Sequence, residues 1–213
     1  MKFRHLTLIL GLLLISASTI VRGDGHAVPK GFVEKDGVFY KELTDVPFTG
    51  MVVDGRSQGR LENGIRTGHW IFFYDDGQLL SKGSFADGKM DGRWVRYYKN
   101  GKLWWKSHFV EGQPDGKWAK YYENGQLWWE GRYVDGGYEG QWVEYYENGQ
   151  LMRRGNILDG KIHGEWVAYW KNGQLSFKGN YLKGKEEGQW FWYEEDGTAN
   201  EEKTGVYENG VKQ

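Results

Sequence analysis

The chain has 213 residues, which corresponds to one or two domains of usual size. It contains 33 glycines, 3 prolines and no cysteine, together with 12 tryptophans, 14 tyrosines and 10 phenylalanines. The glycines argue against a helical bundle, because each one inside a helix costs about 1 kcal/mol, and the aromatic residues argue against disorder. Without cysteine, a disulfide framework, a thiolate zinc site and a cysteine nucleophile are all excluded. The remaining class is all-β, with many short strands separated by glycine turns.

The first 23 residues have the pattern of a signal peptide. Two basic residues precede an apolar or small-residue run over 6–21, which is shorter than the roughly 20 residues of a membrane span. Small residues favour cleavage after Ser18 or after Gly23. We therefore expect a mature chain that is secreted or periplasmic. The alternative is an uncleaved membrane anchor.

Removal of this segment changes the net charge. It carries three of the 28 basic residues and no acidic one, so the mature chain would have 25 basic residues against 29 acidic ones, a net charge of −4. We find no basic stripe that would offset this excess of acid. The charge therefore argues against a nucleic-acid partner and against binding to anionic membrane lipid.

A 24-residue repeat occupies most of the remaining chain. Tryptophan recurs every 24 residues, and each copy follows a glycine by two positions. The six tryptophans are Trp70, Trp94, Trp118, Trp142, Trp166 and Trp190. This periodicity predicts six tandem units over 68–211, the last one degenerate. Before them we expect a linker at 24–35 and a degenerate pair of hairpins at 36–67.

Each unit contains two glycine turns. One turn is Asn-Gly or Asp-Gly, as in Asn100-Gly101, and the other is usually an acid followed by glycine, as in Asp87-Gly88. Asn-Gly is typical of a two-residue type I′ hairpin turn, in which both residues have positive φ. Two such turns leave two strands of about ten residues per unit. We therefore predict an elongated single-layer antiparallel meander of tandem 24-residue β-hairpins, advancing about 10 Å per unit.

If both turns contain two residues, side-chain alternation assigns the two faces of the sheet. One face carries a ladder of aromatic residues and leucine that includes Trp94, Tyr98 and Trp105. A glycine such as Gly83 faces a repeat tryptophan across the strand pair, which lets an indole lie on the backbone. The opposite face carries Trp104 among charged residues. A three-residue turn with a bulge would change this assignment.

The aromatic ladder raises the question of how a single layer buries it. Full burial of one such ring contributes roughly 4–6 kcal/mol as an upper bound. The sequence shows no helix that would cover the ladder as a second layer. Three solutions remain open, namely strong twist with rings packed on the backbone, self-association, or a partner.

Two segments, 116–127 and 140–151, share the motif G-x-W-x-x-Y-Y-E-N-G-Q-L. In this motif the chain resembles the MORN-repeat variant family, which includes the YwqK-type antitoxin proteins. The segment 38–50 also resembles the start of those proteins, so that the resemblance extends over about 36–210. It implies β-hairpin repeats that bind partners or lipids, and it brings no catalytic or ligand residues. Within this resemblance, an immunity or antitoxin role is an implication of the family alone.

No combination of residues indicates an enzyme or a cofactor. The histidines after residue 23 occupy different positions of the repeat, so we expect no metal site. Acidic residues near the turns, such as Asp87 and Asp91, are explained by turn chemistry better than by calcium binding. Adjacent carboxylates such as Glu194 and Glu195 do not form an opposed acid/base pair. We therefore expect a non-enzymatic protein without a cofactor.

Two tryptophan doublets, at 104–105 and 128–129, stand out because other units have no doublet there. Alternation places the first indole of each doublet on the charged face, about 10 Å from the other. These indoles either cover Tyr97 and Tyr121 and stiffen the sheet, or form an exposed strip that binds a partner. With the flanking leucine and methionine, the candidate partner-binding residues are Leu80, Trp104, Trp105, Trp128, Trp129 and Met152.

Three classes of function remain open. The first is an extracytoplasmic repeat protein that binds a protein partner. The second is binding of cell-wall glycan or choline, because Trp/Tyr-rich hairpin repeats of choline-binding modules look similar and cation–π boxes need such aromatic residues. The 24-residue period and the W-x-x-Y-Y spacing differ from those modules. The third is a structural element of the envelope that assembles into a homo-oligomer.

Overall fold

The computed structural model describes residues 28–213, so the signal peptide predicted at 1–23 lies outside the described residues. Every regular element in the described part is a β-strand. No helix within it is long and apolar enough to cross a membrane.

The strands form one long antiparallel meander preceded by a separate hairpin. The hairpin consists of β1 (Phe32–Lys35) and β2 (Val38–Lys41). Seventeen further strands form a single open sheet in which sequential strands are neighbours. They are β3 (Gly50–Val53), β4 (Ser57–Glu62), β5 (Ile65–Phe73), β6 (Leu79–Ala86), β7 (Lys89–Tyr97), β8 (Leu103–Val110), β9 (Gln113–Pro114), β10 (Gly116–Tyr121), β11 (Leu127–Val134), β12 (Gly137–Tyr138), β13 (Gly140–Tyr145), β14 (Leu151–Leu158), β15 (Lys161–Tyr169), β16 (Leu175–Leu182), β17 (Lys185–Trp192), β18 (Gly205–Glu208) and β19 (Val211–Lys212).

The predicted fold class is confirmed. Two of the long strands are interrupted: β9 and β10 both pair with β8, and β12 and β13 both pair with β11. Each interrupted pair therefore occupies the place of one nine-residue strand such as β7 in the neighbouring unit. The repeat is a hairpin, and the array is a single layer of hairpins.

The first hairpin begins inside the segment that we expected to be a linker. Strand β1 starts at Phe32. It is joined to β2 by Asp36 and Gly37, whose φ angles of 52° and 80° give the same kind of tight turn as in the later units. The hairpin is attached to the main sheet, since the Phe39 N–H donates to the Gly64 carbonyl at 2.8 Å. The linker expectation for 24–35 is therefore wrong from Phe32 onward.

Only one of the two turns of each unit has the two-residue form that we predicted for both. Both residues of Asp87-Gly88 have positive φ, at 49° and 75°, as a type I′ turn requires. In the Asn-Gly loop only Gly101 has positive φ, and the Tyr98 N–H donates to the Lys102 carbonyl at 2.8 Å. This loop therefore contains three residues and ends in a glycine bulge. Asn100 Oδ1 instead accepts the Lys102 N–H at 2.9 Å.

A bulge follows in the strand after this loop. Arg96 pairs with Trp105, but Tyr97 pairs with Leu103, which leaves Trp104 as the extra residue. The same shift recurs in the other units. Because an extra residue changes the side toward which a side chain points, the bulge changes the faces that we assigned by simple alternation.

The repeat tryptophans are buried by lying on glycine. Gly83 pairs with Trp70 as predicted, but its open face carries the indole of the following tryptophan, Trp94. A Cβ at Gly83 would overlap that indole. The Trp94 Nε1–H donates to the Ser84 carbonyl at 2.9 Å, which satisfies the buried donor. The same arrangement places Trp70 on Gly59, Trp166 on Gly155 and Trp190 on Gly179.

This packing shows how a single layer buries aromatic rings. Trp70 and Trp190 are 0% exposed and Trp94 is 1% exposed, with neither a helix nor a second layer in residues 28–213. The buried residues form two separate clusters, one around Trp70 and Trp94 and the other around Trp166 and Trp190. The units between them are packed differently.

Candidate partner-binding surface

The centre of the array exposes more of its aromatic ladder than either end. The repeat tryptophans of the two central units, Trp118 and Trp142, are half-buried, whereas the other four are buried. They lie between the two core clusters and are not members of either buried set. The central units are therefore the place where the ladder face is open to contact.

The position of Trp118 follows from one residue in the preceding strand. Ser107 stands where other units have the glycine that supports the indole. The serine hydroxyl donates to the His108 carbonyl at 3.3 Å, which corresponds to the carbonyl that accepts the indole N–H elsewhere. Trp118 Nε1 is buried and has no hydrogen-bond partner within residues 28–213. The serine thus keeps the indole off the position that the repeat otherwise gives it.

Trp118 instead belongs to a stack of four indoles. Its ring centroid lies 5.1 Å from that of Trp105 and 6.2 Å from that of Trp129, and Trp129 lies 4.6 Å from Trp142. The interplanar angles are 26°, 13° and 20°, so the rings are nearly parallel. The second tryptophan of each doublet therefore fills the space between successive repeat tryptophans.

The first tryptophan of each doublet also lies on the ladder side, so our assignment of Trp104 and Trp128 to the charged face is wrong. Trp104 packs on Tyr98 at 5.5 Å and Trp128 stacks on Tyr122 at 5.3 Å. Each tyrosine follows a repeat tryptophan by four residues, an even number, and therefore lies on the same face of the sheet as that tryptophan. The bulge at Trp104 and at its counterpart Trp128 is the physical reason.

The expectation that these indoles cover two other tyrosines is wrong as well. Their ring partners are the tyrosines of the ladder face, whereas the Tyr121 ring lies 5.6 Å from the Lys106 ammonium. Each doublet is thus a feature of one face of the sheet.

A lysine joins the two first indoles. Lys120 Nζ lies 4.2 Å from the ring centroid of Trp128 and 5.9 Å from that of Trp104. The guanidinium of Arg96 lies 5.0 Å from the Trp104 ring. Burial lowers the pKa of Lys120. We call the set Tyr98, Trp104, Lys120, Tyr122 and Trp128 the central strip.

The two flanking candidates are less closely involved. Leu80 packs against the core cluster around Trp70 and Trp94. Met152 is half-buried in the corresponding position of a later unit. The structure therefore brings the four doublet tryptophans into one region, with Trp105 and Trp129 in the indole stack and Trp104 and Trp128 in the central strip. It places Leu80 with the core.

Lys120, Trp118 and Trp142 belong to this region as well, although none of them is among the residues predicted from the sequence. The sequence does contain an indication for the lysine. The position two residues after the repeat tryptophan is apolar in three units and charged in three, namely Phe72, Arg96, Lys120, Glu144, Ala168 and Trp192. A charge at a ladder position is the observation that would have identified Lys120.

The next charged residue in this column has an internal partner. Arg153 Nε lies 2.6 Å from Glu144 Oε2, and the two residues are paired across β13 and β14. The Glu144 side chain is 13% exposed, so this ion pair is largely removed from water. Burial, followed by the charges of Glu144 and Glu147, raises the pKa of Tyr122. No group of three or more His, Asp or Glu side chains in residues 28–213 is arranged to hold a metal ion.

The repeat matches a known family. The profile of the MORN repeat variant matches residues 66–87, 90–111, 114–135, 138–159 and 162–183. These five segments of 22 residues cover 110 of the 213 residues. The chain belongs to the MORN repeat variant family. Each matched segment contains one three-residue loop and ends at the first residue of a type I′ turn.

Other comparisons add no functional information. A search of curated proteins found no match. Among solved structures, a crystal structure titled as a GtfA/B complex bound to UDP and GlcNAc shares 12% identity with the chain at a TM-score of 0.22. The similarity covers 65% of this chain and 25% of that chain. This MORN-variant chain thus spans a quarter of that structure's chain.

Proposed function

We propose that this MORN-variant protein is a non-enzymatic binding protein that recognises a protein partner through the central strip. It acts outside the cytoplasm once the signal peptide has been removed. The family resemblance to YwqK-type proteins suggests an immunity or antitoxin role as one form of such binding.

The observation that supports the proposal is the contrast between the centre and the ends of the array. The repeat is able to bury its tryptophan completely, as Trp70 and Trp190 show. In the unit of Trp118, Ser107 prevents this packing, and the tryptophan doublets add further half-exposed rings. Clustered, half-exposed aromatic residues beside a cation are typical of protein interfaces.

Choline or wall-glycan binding is the second candidate. The observation that favours it is the pair of indoles with a cation between them, Trp104 and Trp128 around Lys120. The lysine also counts against it, because the side chain already occupies the place that a cationic ligand would take. We therefore treat this candidate as an outcome of the test.

The test compares two immobilised forms of the chain that lacks residues 1–23. The wild type and the Trp104→Ala/Trp128→Ala variant are exposed to envelope and secreted fractions of the source cells. We expect a protein that the wild type retains and the folded variant loses. Phe191→Ala is the matched control, because this exposed aromatic residue lies outside the central strip. Circular dichroism and thermal unfolding establish that each bait is folded.

The opposite results are equally clear. Retention of a protein by both baits, or no retained protein, contradicts the proposal. Retention of wall glycan alone, released by choline, supports the second candidate. Concentration-dependent dimers that are lost in the double variant support self-assembly instead.

Localisation has its own test. The mass of the chain recovered from secreted or periplasmic fractions should correspond to a start at Thr19 or Asp24, following cleavage after Ser18 or Gly23. Recovery of the complete chain from the membrane fraction would show an uncleaved anchor and contradict the proposed localisation.

A further inference from the structure

Lys120 is a cation on an aromatic surface without an anion. Its ammonium contacts the rings of Trp104 and Trp128, and within residues 28–213 it forms no hydrogen bond or ion pair. Lysines elsewhere on the sheet do find carboxylates, such as Lys117 with Glu130 at 3.0 Å and Lys178 with Glu165 at 3.1 Å. Because Lys120 is half-buried, its ammonium has already lost part of its hydration.

The sheet has the means to satisfy a charge at this position, and it does so in the next unit. Glu144 occupies the column of Lys120 one unit later, and its cross-strand partner is Arg153. The residue paired with Lys120 in the same way is Trp129. The fold therefore supplies a counter-ion to Glu144 but an indole to Lys120.

The neighbouring unit adds a second cation to the same surface. Arg96 is the residue of this column one unit earlier, and its guanidinium lies 5.0 Å from the Trp104 ring. The central strip together with Arg96 thus presents indoles and two cations on one surface. A surface of this composition is complementary to a carboxylate that stands beside an apolar side chain.

We infer that the central strip selects a partner protein segment that presents an aspartate or glutamate next to an aromatic or aliphatic residue, and that Lys120 determines this specificity. The carboxylate pairs with the Lys120 ammonium, and the apolar side chain packs on Trp104 and Trp128. An ammonium that is already partly dehydrated loses less on pairing than a fully hydrated one. This inference rests on the proposed function and specifies the chemistry of its partner.

The test uses a displayed random-peptide library as the probe, selected on the immobilised chain that lacks residues 1–23. We expect selected peptides to carry Asp or Glu beside an aromatic or aliphatic residue. Lys120→Met should weaken their binding about tenfold or more, because it removes a charge-assisted contact. Lys106→Met is the matched control. That lysine also lies over an aromatic ring, that of Tyr121, but on the opposite face of the sheet. Its substitution should leave binding unchanged.

Charge reversal makes the test specific. Lys120→Glu should lose the selected peptides and bind versions in which their acidic residue is replaced by lysine. Equal binding by the wild type and Lys120→Met would overturn the inference. Competition by tetramethylammonium on the wild type would also overturn it, because the indoles would then take a cation.

The two proposals fail in different ways. Peptides that require Trp104 and Trp128 but not Lys120 would leave the binding function in place and remove the specificity. Peptides that require neither the tryptophans nor the lysine would contradict the binding surface itself. Thermal unfolding of each variant establishes that a loss of binding is not a loss of fold.

Discussion

Ser107 occupies the place of the glycine on which the indole of Trp118 would otherwise lie. In the preceding unit, Gly83 leaves room for Trp94, and the indole N–H donates to the Ser84 carbonyl at 2.9 Å. In the central unit the serine hydroxyl takes the corresponding carbonyl, and the buried Trp118 donor is left without a partner in the described residues. A buried unsatisfied donor costs about 1–3 kcal/mol. The open aromatic surface in the centre thus has a cost in stability.

The first prediction is that Ser107→Gly stabilises the protein. The glycine lets the Trp118 indole lie on the backbone and donate to the His108 carbonyl. The recovered hydrogen bond exceeds the roughly 0.5–1 kcal/mol that glycine costs in a strand, so we expect a net gain of about 1 kcal/mol. Denaturant unfolding measures the gain, and slower exchange of the indole N–H confirms its cause.

Gly83→Ser is the reverse experiment. It should displace Trp94 and lower the free energy of unfolding, because the added side chain overlaps the indole. A loss of stability in Ser107→Gly would show that the serine does not determine the position of Trp118.

The second prediction concerns the glycines under the buried indoles. Gly155→Ala should destabilise the protein by about 2–3 kcal/mol, because its Cβ overlaps the Trp166 indole and the nearest atoms all belong to that rigid ring. Gly137→Ala is the control. Its φ is not positive and its Cβ would lie 3.6 Å from the Val134 carbonyl, an ordinary contact, so the change should remain within about 0.5 kcal/mol. Equal effects of the two substitutions on the denaturant midpoint would contradict this account of the core.

The period, the fold class and the family could be predicted from the sequence because they depend on residues that recur at a fixed spacing. The turn types could not. Asn-Gly fits a two-residue type I′ turn, but its glycine equally fits the last position of a three-residue loop. The dipeptide specifies a residue with positive φ, which is Gly101, and not the length of the loop.

The face of the tryptophan doublets depends on the same detail. One extra residue in the strand, Trp104, reverses the side assigned to it by alternation. Lys120 illustrates a different limit. Its charge in an aromatic column is visible in the sequence, but the two rings that it contacts come from two different strands, and only the register brings them together.

The third prediction follows from the type I′ turns. Glu111 has a φ of 49°, which costs a side-chain-bearing residue roughly 1 kcal/mol, and asparagine tolerates this conformation better. Glu111→Asn should therefore raise the free energy of unfolding by about 0.5–1 kcal/mol. Glu123→Asn is the matched control in the three-residue loop, where φ of the substituted residue is not positive. An equal rise in melting temperature for both variants would show that backbone conformation is not the cause.

The fourth prediction concerns alkaline pH. Burial raises the pKa of Tyr133 and of Tyr181 far above the ordinary value of 10.0, and burial likewise raises the pKa of Tyr138. The hydrogen bond that Tyr133 donates to Tyr138 adds to the effect on Tyr133. In the unfolded chain these hydroxyls lose their protons near pH 10, whereas in the folded chain they keep them. Their contribution to stability is therefore complete below about pH 10 and is lost as the pH rises toward the folded values.

Lys120 acts with the opposite sign. Burial lowers its pKa from the ordinary value of 10.5, so the unfolded chain holds this proton more tightly and stability from this group rises with pH up to that value. We expect these three tyrosines to dominate above pH 10, with a melting temperature that falls steeply. The tyrosinate absorbance of these three residues should appear only on unfolding. Tyr133→Phe should reduce the slope of this loss, although it removes a hydrogen bond at neutral pH. Free titration of every tyrosine near pH 10 in the folded protein, with no fall in melting temperature, would contradict the burial of these hydroxyls in the aromatic ladder.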